Sequence, residues 1–255
     1  MAPGGSIAPR TPPPILPDPT AVTIPTAPAE RLHQVLERIR AAAAAAGREP
    51  PALLAVSKMQ PAEAVAALAA AGQAAFGENY VQEGMAKRAA LEATLPGLEW
   101  HLVGHLQSNK AAQAARTFDW VHSVDRPSVV TALARHRDPA RPLNVLLQVN
   151  VEHEAGKSGC APEAVEALAA QVAAEPALVL RGLMSIPVPH PDPEQRRPAF
   201  RRMKALFDGL AARYRTVDTL SMGMSDDFPV AIAEGATLVR IGTALFGPRP
   251  PRQSG

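Results

Sequence analysis

Length, composition and charge indicate one large folded domain and exclude several classes of function. The chain has 255 residues, 47% of them hydrophobic, which suffices for a single large core. A formal net charge of +2 and an aromatic content of 4% argue against nucleic-acid binding. The one cysteine, Cys160, cannot form a disulfide within the chain, which fits a cytoplasmic protein, and no apolar run is long enough to cross a membrane.

The chain opens with a segment that differs in composition from the rest. Residues 1–27 are rich in proline, alanine and glycine and are predicted to be a disordered tail. An amphipathic helix is predicted from Pro28 to Ala46. Its apolar positions recur at helical spacing, at Leu32, Val35, Leu36 and Ile39. We expect the folded domain to span 28–248, followed by a short tail at 249–255.

Beyond this helix, apolar strands alternate with helices. Strands are predicted at 52–58, 75–79, 99–104, 119–124, 143–151, 179–186, 218–223 and 237–242. Helices are predicted at 61–71, 79–93, 108–116, 127–136, 162–174, 195–213 and 226–234, with a last short one around 244–247. The alternation predicts an α/β fold, a single (β/α)8 barrel of the TIM type whose extra N-terminal helix lies at the bottom or the side. A doubly wound open sheet is the alternative, although no G-x-G-x-x-G follows the first strand.

Lys58 is the most informative residue of the chain. It ends the apolar run that begins at Leu53, so it lies at the C-terminal end of the first strand, where barrels carry their chemistry. A desolvated lysine loses its proton readily and can form a Schiff base. An isolated strand-end lysine is usually only solvated, so the other strand ends decide its interpretation.

Polar residues and glycines gather at the other predicted strand ends, which a barrel brings to one rim. They include Glu78, Asn79, Gly104, His105, His122, Asn150, Ser185 and Ser221. Ser225 precedes a helix predicted to begin near Asp226, and Gly242 and Thr243 follow the eighth strand. The loops after strands seven and eight are the usual phosphate site of barrels, and exposed backbone N–H groups there hold anions. Taken singly, Ser225 is an N-cap and Gly242 a turn glycine; together, opposite Lys58, they predict phosphate binding.

Arg240 is the one charged residue within the apolar run of the eighth strand. A buried arginine needs a partner, so it either pairs with a carboxylate of a neighbouring strand or donates to a ligand. Because arginine keeps its proton, a ring nitrogen facing it would stay unprotonated.

Four other features have simpler explanations than catalysis. Gly156-Lys157-Ser158 resembles the end of a nucleotide-binding loop, but the motif requires glycine where Val151 stands. His101 and His105 lie on a strand, where core or rim hydrogen bonding is the usual role, and no metal site is predicted. Asp226 and Asp227 fit a first helical turn as well as they fit catalysis. Cys160 is interpreted as an ordinary packing or loop cysteine.

Several segments together are similar to the pyridoxal phosphate homeostasis protein family. They are LAVSK (54–58), FGENYVQE (76–83), WHLVGHLQSNK (100–110), RGLM (181–184), LSMGMSDD (220–227) and VRIGTALFG (239–247). The resemblance runs in order from about residue 30 to 248. It implies a barrel like the first domain of alanine racemase and of bacterial ornithine decarboxylase-type enzymes.

The resemblance also implies a cofactor and its ligands. Pyridoxal 5′-phosphate (PLP) would be bound covalently by Lys58, with Arg240 at the pyridine nitrogen. Its phosphate would be held by Ser225, Gly242 and Thr243, and Asn79 would lie close to the cofactor. The loop at 156–159 also resembles a family loop.

These assignments favour a binding protein without catalytic residues. An arginine partner weakens the electron sink of PLP, and a racemase needs a second base on the opposite face of the substrate. In alanine racemases a tyrosine of another domain supplies it, and we expect no such domain here because the chain ends at Gly255. We expect a cytoplasmic monomer that buffers PLP or delivers it to PLP-dependent apoenzymes. A PLP-dependent amino-acid racemase and a phosphosugar-type barrel enzyme are the alternatives.

Overall fold

The computed structural model describes residues 27–247 as a closed barrel of parallel strands. The strands are β1 (Ala52–Val56), β2 (Ala75–Glu78), β3 (Glu99–Leu102), β4 (Trp120–Val124), β5 (Leu143–Gln148), β6 (Leu178–Met184), β7 (Thr219–Ser221) and β8 (Leu238–Ile241). Each strand pairs with the next, and β8 closes the barrel on β1 with Arg240 opposite Leu54. The predicted α/β barrel is therefore confirmed, and the open sheet is wrong. The predicted tails, 1–27 and 249–255, lie outside the described residues except for Ala27.

Helices connect the strands on the outside of the barrel. Those in the described part of the chain are α1 (Pro28–Ala45), α2 (Ala62–Ala70), α3 (Val81–Leu91), α4 (Ala111–Thr117), α5 (Pro127–His136), α6 (Val165–Ala173), α7 (Arg197–Ala211), α8 (Phe228–Ala233) and α9 (Thr243–Phe246). Short 3-10 helices precede three of them, at Ser108–Lys110, Pro162–Ala164 and Pro193–Arg196. Within 27–247, no helix combines the length and apolar character that a membrane span requires.

The boundaries differ from the predicted ones mainly where strands meet the rim. β1 ends at Val56 and β5 at Gln148, although Ser57 and Val149 each still donate one backbone hydrogen bond to the neighbouring strand. The helix predicted to begin near Asp226 begins at Phe228. Residues 225–227 instead form a turn whose backbone leads into the helix. The last short helix begins at Thr243, one residue earlier than predicted.

Side chains alternate across each strand, so every second residue points into the barrel. On β1 this places Leu54 and Val56 on the inner face, and Lys58 continues that face beyond the strand. Two small apolar clusters are separate from the main core. They consist of Leu54, Val103 and Leu238, and of Trp120, Leu146 and Met184. The main core lies between the strands and the surrounding helices, as barrel folds require.

The N-terminal helix α1 packs on the side of the barrel, which decides between the two predicted positions. It contacts α8, α9 and α2. Its buried positions form one stripe, Leu32, Val35, Ile39 and Ala43. The guanidinium of Arg38 lies 5.0 Å from the centre of the Phe228 ring, and a cation–π contact of this kind ties α1 to α8. The helix therefore packs against the start of α8.

Candidate functional site

A cavity of about 730 Å³ lies at the C-terminal ends of the barrel strands. The six residues predicted to bind the cofactor all line it: Lys58, Asn79, Ser225, Arg240, Gly242 and Thr243. They come from loops after β1, β2, β7 and β8 and from β8 itself. The structure thus brings the predicted site residues together, because parallel strands that close into a barrel end on a common rim.

Lys58 lies two residues beyond the end of β1, at the start of a tight turn. The backbone N–H of Ser57 still donates to the carbonyl of Gly77 on β2, 2.9 Å away. The next residue, Met59, has a φ of 61°, which side-chain-bearing residues rarely adopt. Such a conformation persists only where surrounding contacts hold it, so the position of Lys58 depends on its neighbours.

A buried ion cluster behind the sheet supplies those contacts. The ammonium of Lys87 donates to the carbonyl of Ser57 at 2.6 Å, to Glu78 Oε1 at 2.7 Å and to Glu83 Oε1 at 2.8 Å. The same Glu83 oxygen accepts from the backbone N–H of Met59 at 2.5 Å. Both residues that flank Lys58 are therefore held by one cluster, which we call the Lys87 clamp (Ser57, Glu78, Glu83 and Lys87).

The sequence placed Glu78 at the rim, but its side chain points outward against α3 and is buried there. Burial raises the pKa of the Glu78 carboxyl, and the ammonium of Lys87 and the hydroxyl of Ser57 partly oppose that shift. The Ser57 hydroxyl donates to Glu78 Oε1 at 2.6 Å. Sequence analysis missed this cluster, although Glu83 and Lys87 lie four residues apart on a predicted helix, a spacing that pairs side chains.

Arg240 points into the barrel and is held by carbonyl and hydroxyl oxygens, not by a carboxylate. Its Nη1 donates to the carbonyl and to Oγ of Ser221, at 2.8 and 2.7 Å, and its Nη2 donates to the carbonyl of Ser185 at 2.9 Å. Burial lowers the pKa of Arg240 to about 10, so the side chain stays protonated at neutral pH. The guanidinium is therefore a fixed cation with only donors to offer.

The loops after β7 and β8 lie opposite Lys58. A Cβ atom on Gly242 would lie 3.0 Å from the carbonyl oxygen of Val56, so glycine allows this close approach of β8 to β1. Thr243 begins α9, and the first N–H groups of a helix have no partner within it. Ser225 and Thr243 both line the cavity here, which makes this wall the candidate site for an anion.

Asp227 anchors the loop that carries Ser225. Its carboxylate is fully buried, accepts the backbone N–H of Met224 at 2.6 Å and pairs with Arg196 at 2.6 Å. Arg196 in turn donates to the carbonyl of His190 at 2.9 Å. Asp227 thus shapes the loop from behind, whereas Asp226 lines the cavity.

Asn79 reaches the cavity because β2 and β3 approach closely at their ends. A Cβ atom on Gly104 would lie 2.1 Å from the carbonyl oxygen of Asn79, so only glycine fits at that position. The backbone N–H of Val103 donates to the carbonyl of Glu78 at 2.8 Å and keeps the two strand ends together. These contacts fix the backbone at Asn79, which lines the cavity.

The loop at 150–160 forms another wall, and its lysine motif lies at the cavity. Lys157 and Ser158 both line it, and Ser158 Oγ lies 3.1 Å from His105 Nδ1. Gln148 also lines the cavity and was missed, although it is a polar residue within an apolar strand. Cys160 is buried, and burial together with Asp125 raises the pKa of its thiol to about 11. This agrees with its interpretation as a packing cysteine, since a thiol of that pKa is unreactive at neutral pH.

Comparisons with known proteins agree with this geometry. The profile of the alanine racemase N-terminal domain family matches residues 31–250. A pyridoxal phosphate homeostasis protein of Pseudomonas aeruginosa PAO1 is 54% identical over 224 residues, covering 87% of this chain and 95% of that protein. One of Escherichia coli K12 is 51% identical over 226 residues, covering 87% of this chain and 96% of that protein.

A solved structure is also similar to this chain. PipY of Synechococcus elongatus PCC7942, with PLP bound, superposes with a TM-score of 0.75 at 38% identity, covering 86% of this chain and 100% of that one. The resemblance seen in the motifs is therefore confirmed over nearly all of the described residues. With its closed barrel, its strand-end lysine and these relatives, the chain belongs to the pyridoxal phosphate homeostasis protein family.

Proposed function

We propose that this protein binds PLP and serves its homeostasis in the cell, by buffering the cofactor or delivering it. The observation that carries the proposal is one cavity lined by a lysine, a buried arginine and the loops after β7 and β8. The names of the P. aeruginosa and E. coli relatives, and the PLP bound to PipY, support it.

The residues of the cavity fit an aromatic aldehyde that carries a phosphate. PLP supplies an electrophilic aldehyde on a ring that withdraws electrons. Lys58 has the amine that such an aldehyde requires, on a turn held by the Lys87 clamp. Arg240 offers N–H donors to a ring nitrogen, and Ser225, Gly242 and Thr243 offer hydroxyl and backbone N–H groups to a phosphate.

We propose that binding occurs without efficient catalysis. A guanidinium that only donates keeps the ring nitrogen unprotonated and weakens the electron sink on which PLP enzymes depend. The two tyrosines of the chain do not line the cavity: Tyr80 is 57% exposed, and Tyr214 packs against the main core. The side chains around Lys58 therefore favour holding the cofactor over turning it over.

The remaining parts of the proposal concern cellular setting and partners. We propose a cytoplasmic, monomeric protein whose recipients are PLP-dependent apoenzymes. The rim supports a role in transfer, because Ile186 is a large apolar side chain that lines the cavity and is 42% exposed. A recipient protein could contact such a side chain while the cofactor leaves.

Incubation of the PLP-loaded protein with amino acids in deuterated water tests this proposal. We expect PLP to bind with a visible absorption band, and L-alanine and a panel of other amino acids to show no α-proton exchange at enzyme-like rates. Slow exchange without net inversion is compatible with binding alone. Exchange with inversion at a kcat of about 1 s⁻¹ or above, within the ordinary range of enzymes, would make the racemase alternative right. Absence of a PLP-dependent band would refute the binding itself.

A further inference from the structure

A continuous chain of side-chain hydrogen bonds crosses the interior of the barrel. It begins at the cavity, where Arg240 donates to Ser221 Oγ at 2.7 Å. Ser221 Oγ lies 3.3 Å from His122 Nδ1, and His122 Nε2 lies 2.9 Å from His101 Nδ1. The last link joins His101 Nε2 to Glu99 Oε1 at 2.6 Å. Four strands contribute to the chain, and the predicted cofactor assignment uses only its Arg240 end.

The two ends of this chain lie on opposite faces of the barrel. Arg240 lines the cavity at the C-terminal ends of the strands. Glu99 is the first residue of β3, at the N-terminal end, and its side chain is 47% exposed. Between them, His101, His122 and Ser221 are buried. The hydrogen-bond chain thus joins solvent on one face of the barrel to the ligand cavity on the other.

With Glu99 ionised and both histidines neutral, the donors and acceptors of this hydrogen-bond chain are consistent in one direction. Arg240 can only donate, so Ser221 Oγ is the acceptor of the first bond and its hydroxyl is available to donate to His122 Nδ1. A neutral His122 then carries its proton on Nε2 and donates to His101 Nδ1. His101 likewise donates from Nε2 to the Glu99 carboxylate. Every link then has one donor and one acceptor, and one tautomer is assigned to each ring.

The surroundings favour a neutral His122. Burial lowers its pKa well below the usual range, and the neighbouring His101 and Arg240 lower it further. The bond from His101 lowers the pKa of Glu99, with a smaller contribution from Arg181. The charged and titratable groups that face the chain are thus Arg240 with nearby Asp227, the two histidines, Glu99 and Arg181. The indole ring of Trp120 stacks on His101 at 5.3 Å between ring centres.

We infer that His122 is a positioning residue for Arg240, because it acts through Ser221 to orient the guanidinium at the cavity. His122 also couples that guanidinium to the Glu99–His101 pair at the opposite end of the barrel. A proton added to the pair makes His101 a donor at both nitrogens, which turns both bonds of His122 around. His122 then donates to Ser221 Oγ, and the Ser221 hydroxyl no longer donates to His122. Protonation at the far end therefore reverses the second hydrogen bond of Ser221 Oγ, the atom that accepts from Arg240. The inference rests on the proposed function, because it assigns Arg240 to the ring nitrogen of PLP.

The hydrogen-bond chain can be tested without any ligand. Nuclear magnetic resonance of the full-length protein labelled with ¹⁵N-histidine reports which nitrogen of each ring carries the proton. At neutral pH we expect a neutral His122 protonated at Nε2, and we expect Ser221→Ala to shift the Nδ1 resonance of His122. A doubly protonated His122, or one protonated at Nδ1, would overturn the inference. This result is independent of whether the protein binds PLP.

A second test measures the effect at the cavity, with PLP as the probe. His122→Phe removes the acceptor for Ser221, whereas the amide oxygen of His122→Asn can replace it. We expect His122→Phe to bind PLP about 10-fold more weakly and with a shifted absorption maximum, which is the effect of losing a hydrogen bond to a charged group. We expect His122→Asn to recover most of both. Equal affinity and spectrum for folded His122→Phe and wild type would contradict the positioning role.

A third variant tests the coupling through the barrel and does not disturb the buried residues. Glu99→Gln removes the charge at the exposed end of the chain. We expect it to shift the pH profile of the bound-PLP absorption band relative to wild type. Glu37→Gln, which removes an exposed carboxylate paired with Arg40 on α1, serves as the control and should leave the profile unchanged. An identical profile for Glu99→Gln and wild type would overturn the coupling, whereas failure of wild type to bind PLP would instead refute the proposed function.

Discussion

Lys87→Met is expected to destabilise the protein by roughly 3–5 kcal/mol, the usual cost of removing one partner from a buried ion pair. The side chain of Lys87 is 6% exposed and that of Glu78 is fully buried, so the carboxylate left behind cannot be solvated. The substitution also removes the donor to the carbonyl of Ser57 and frees Glu83, which holds the N–H of Met59. We therefore expect weaker PLP binding as well, measured by titration alongside urea unfolding.

Lys204→Met provides a matched control for this prediction. Lys204 also pairs with a carboxylate four residues away on a helix, Asp208 at 2.7 Å, but both side chains are substantially exposed. Exposed pairs of this kind contribute about 0.3–0.5 kcal/mol, so the control should unfold almost as wild type does. In the double variant Lys87→Met with Glu78→Met, stability should largely recover while PLP binding stays weak. Equal losses of stability for Lys87→Met and Lys204→Met would show that the Lys87 clamp does not hold the lysine turn.

Pyridoxal is expected to bind at least ~100-fold more weakly than PLP. Each charge-assisted hydrogen bond lost with the phosphate costs about 1.5–3 kcal/mol, so two such bonds account for this ratio. Ser225→Ala should lower the affinity for PLP but leave that for pyridoxal unchanged, because only the phosphate contacts Ser225 in the proposed arrangement. Titrations of both ligands followed by absorption or fluorescence measure the ratio.

Ser158→Ala is the control for the phosphate assignment. Ser158 lines the same cavity from the loop at 150–160, so its loss should leave the ratio of the two affinities near that of wild type. If PLP and pyridoxal bound equally well to wild type, the loops after β7 and β8 would not be the anion site.

The sequence was sufficient to predict the barrel and six of the residues that line its cavity. Strand–helix alternation predicts the fold because parallel strands need helical crossovers, and barrel closure then decides which residues share a rim. Lys58, Ser225 and Gly242 follow from this rule, although they lie on loops after three different strands. The exact ends of the strands were predicted less well: β1 ends at Val56 rather than Lys58, and β5 ends at Gln148 rather than Val151.

The contacts that hold the site could not be read from the sequence, because they depend on side-chain direction and on distant partners. Glu78 lies at a strand end like the cavity residues, yet strand alternation sends its side chain to the outer face. Lys87 contacts Ser57, which is 30 residues away, and His122 contacts Ser221, which is 99 residues away. Such pairs are defined only once the strands are closed and in register. The alternatives proposed for Arg240 likewise did not include the carbonyl oxygens that hold it.

The attachment of PLP to Lys58 is the central claim, and chemical reduction tests it most directly. The PLP-loaded protein is treated with borohydride, digested and examined by mass spectrometry. We predict a pyridoxyl group on Lys58, and we predict that Lys58→Ala folds normally and purifies without colour. Lys157 lines the same cavity and is the internal comparison. A label on Lys157 or spread over surface lysines, with Lys58 unmodified, would contradict the account.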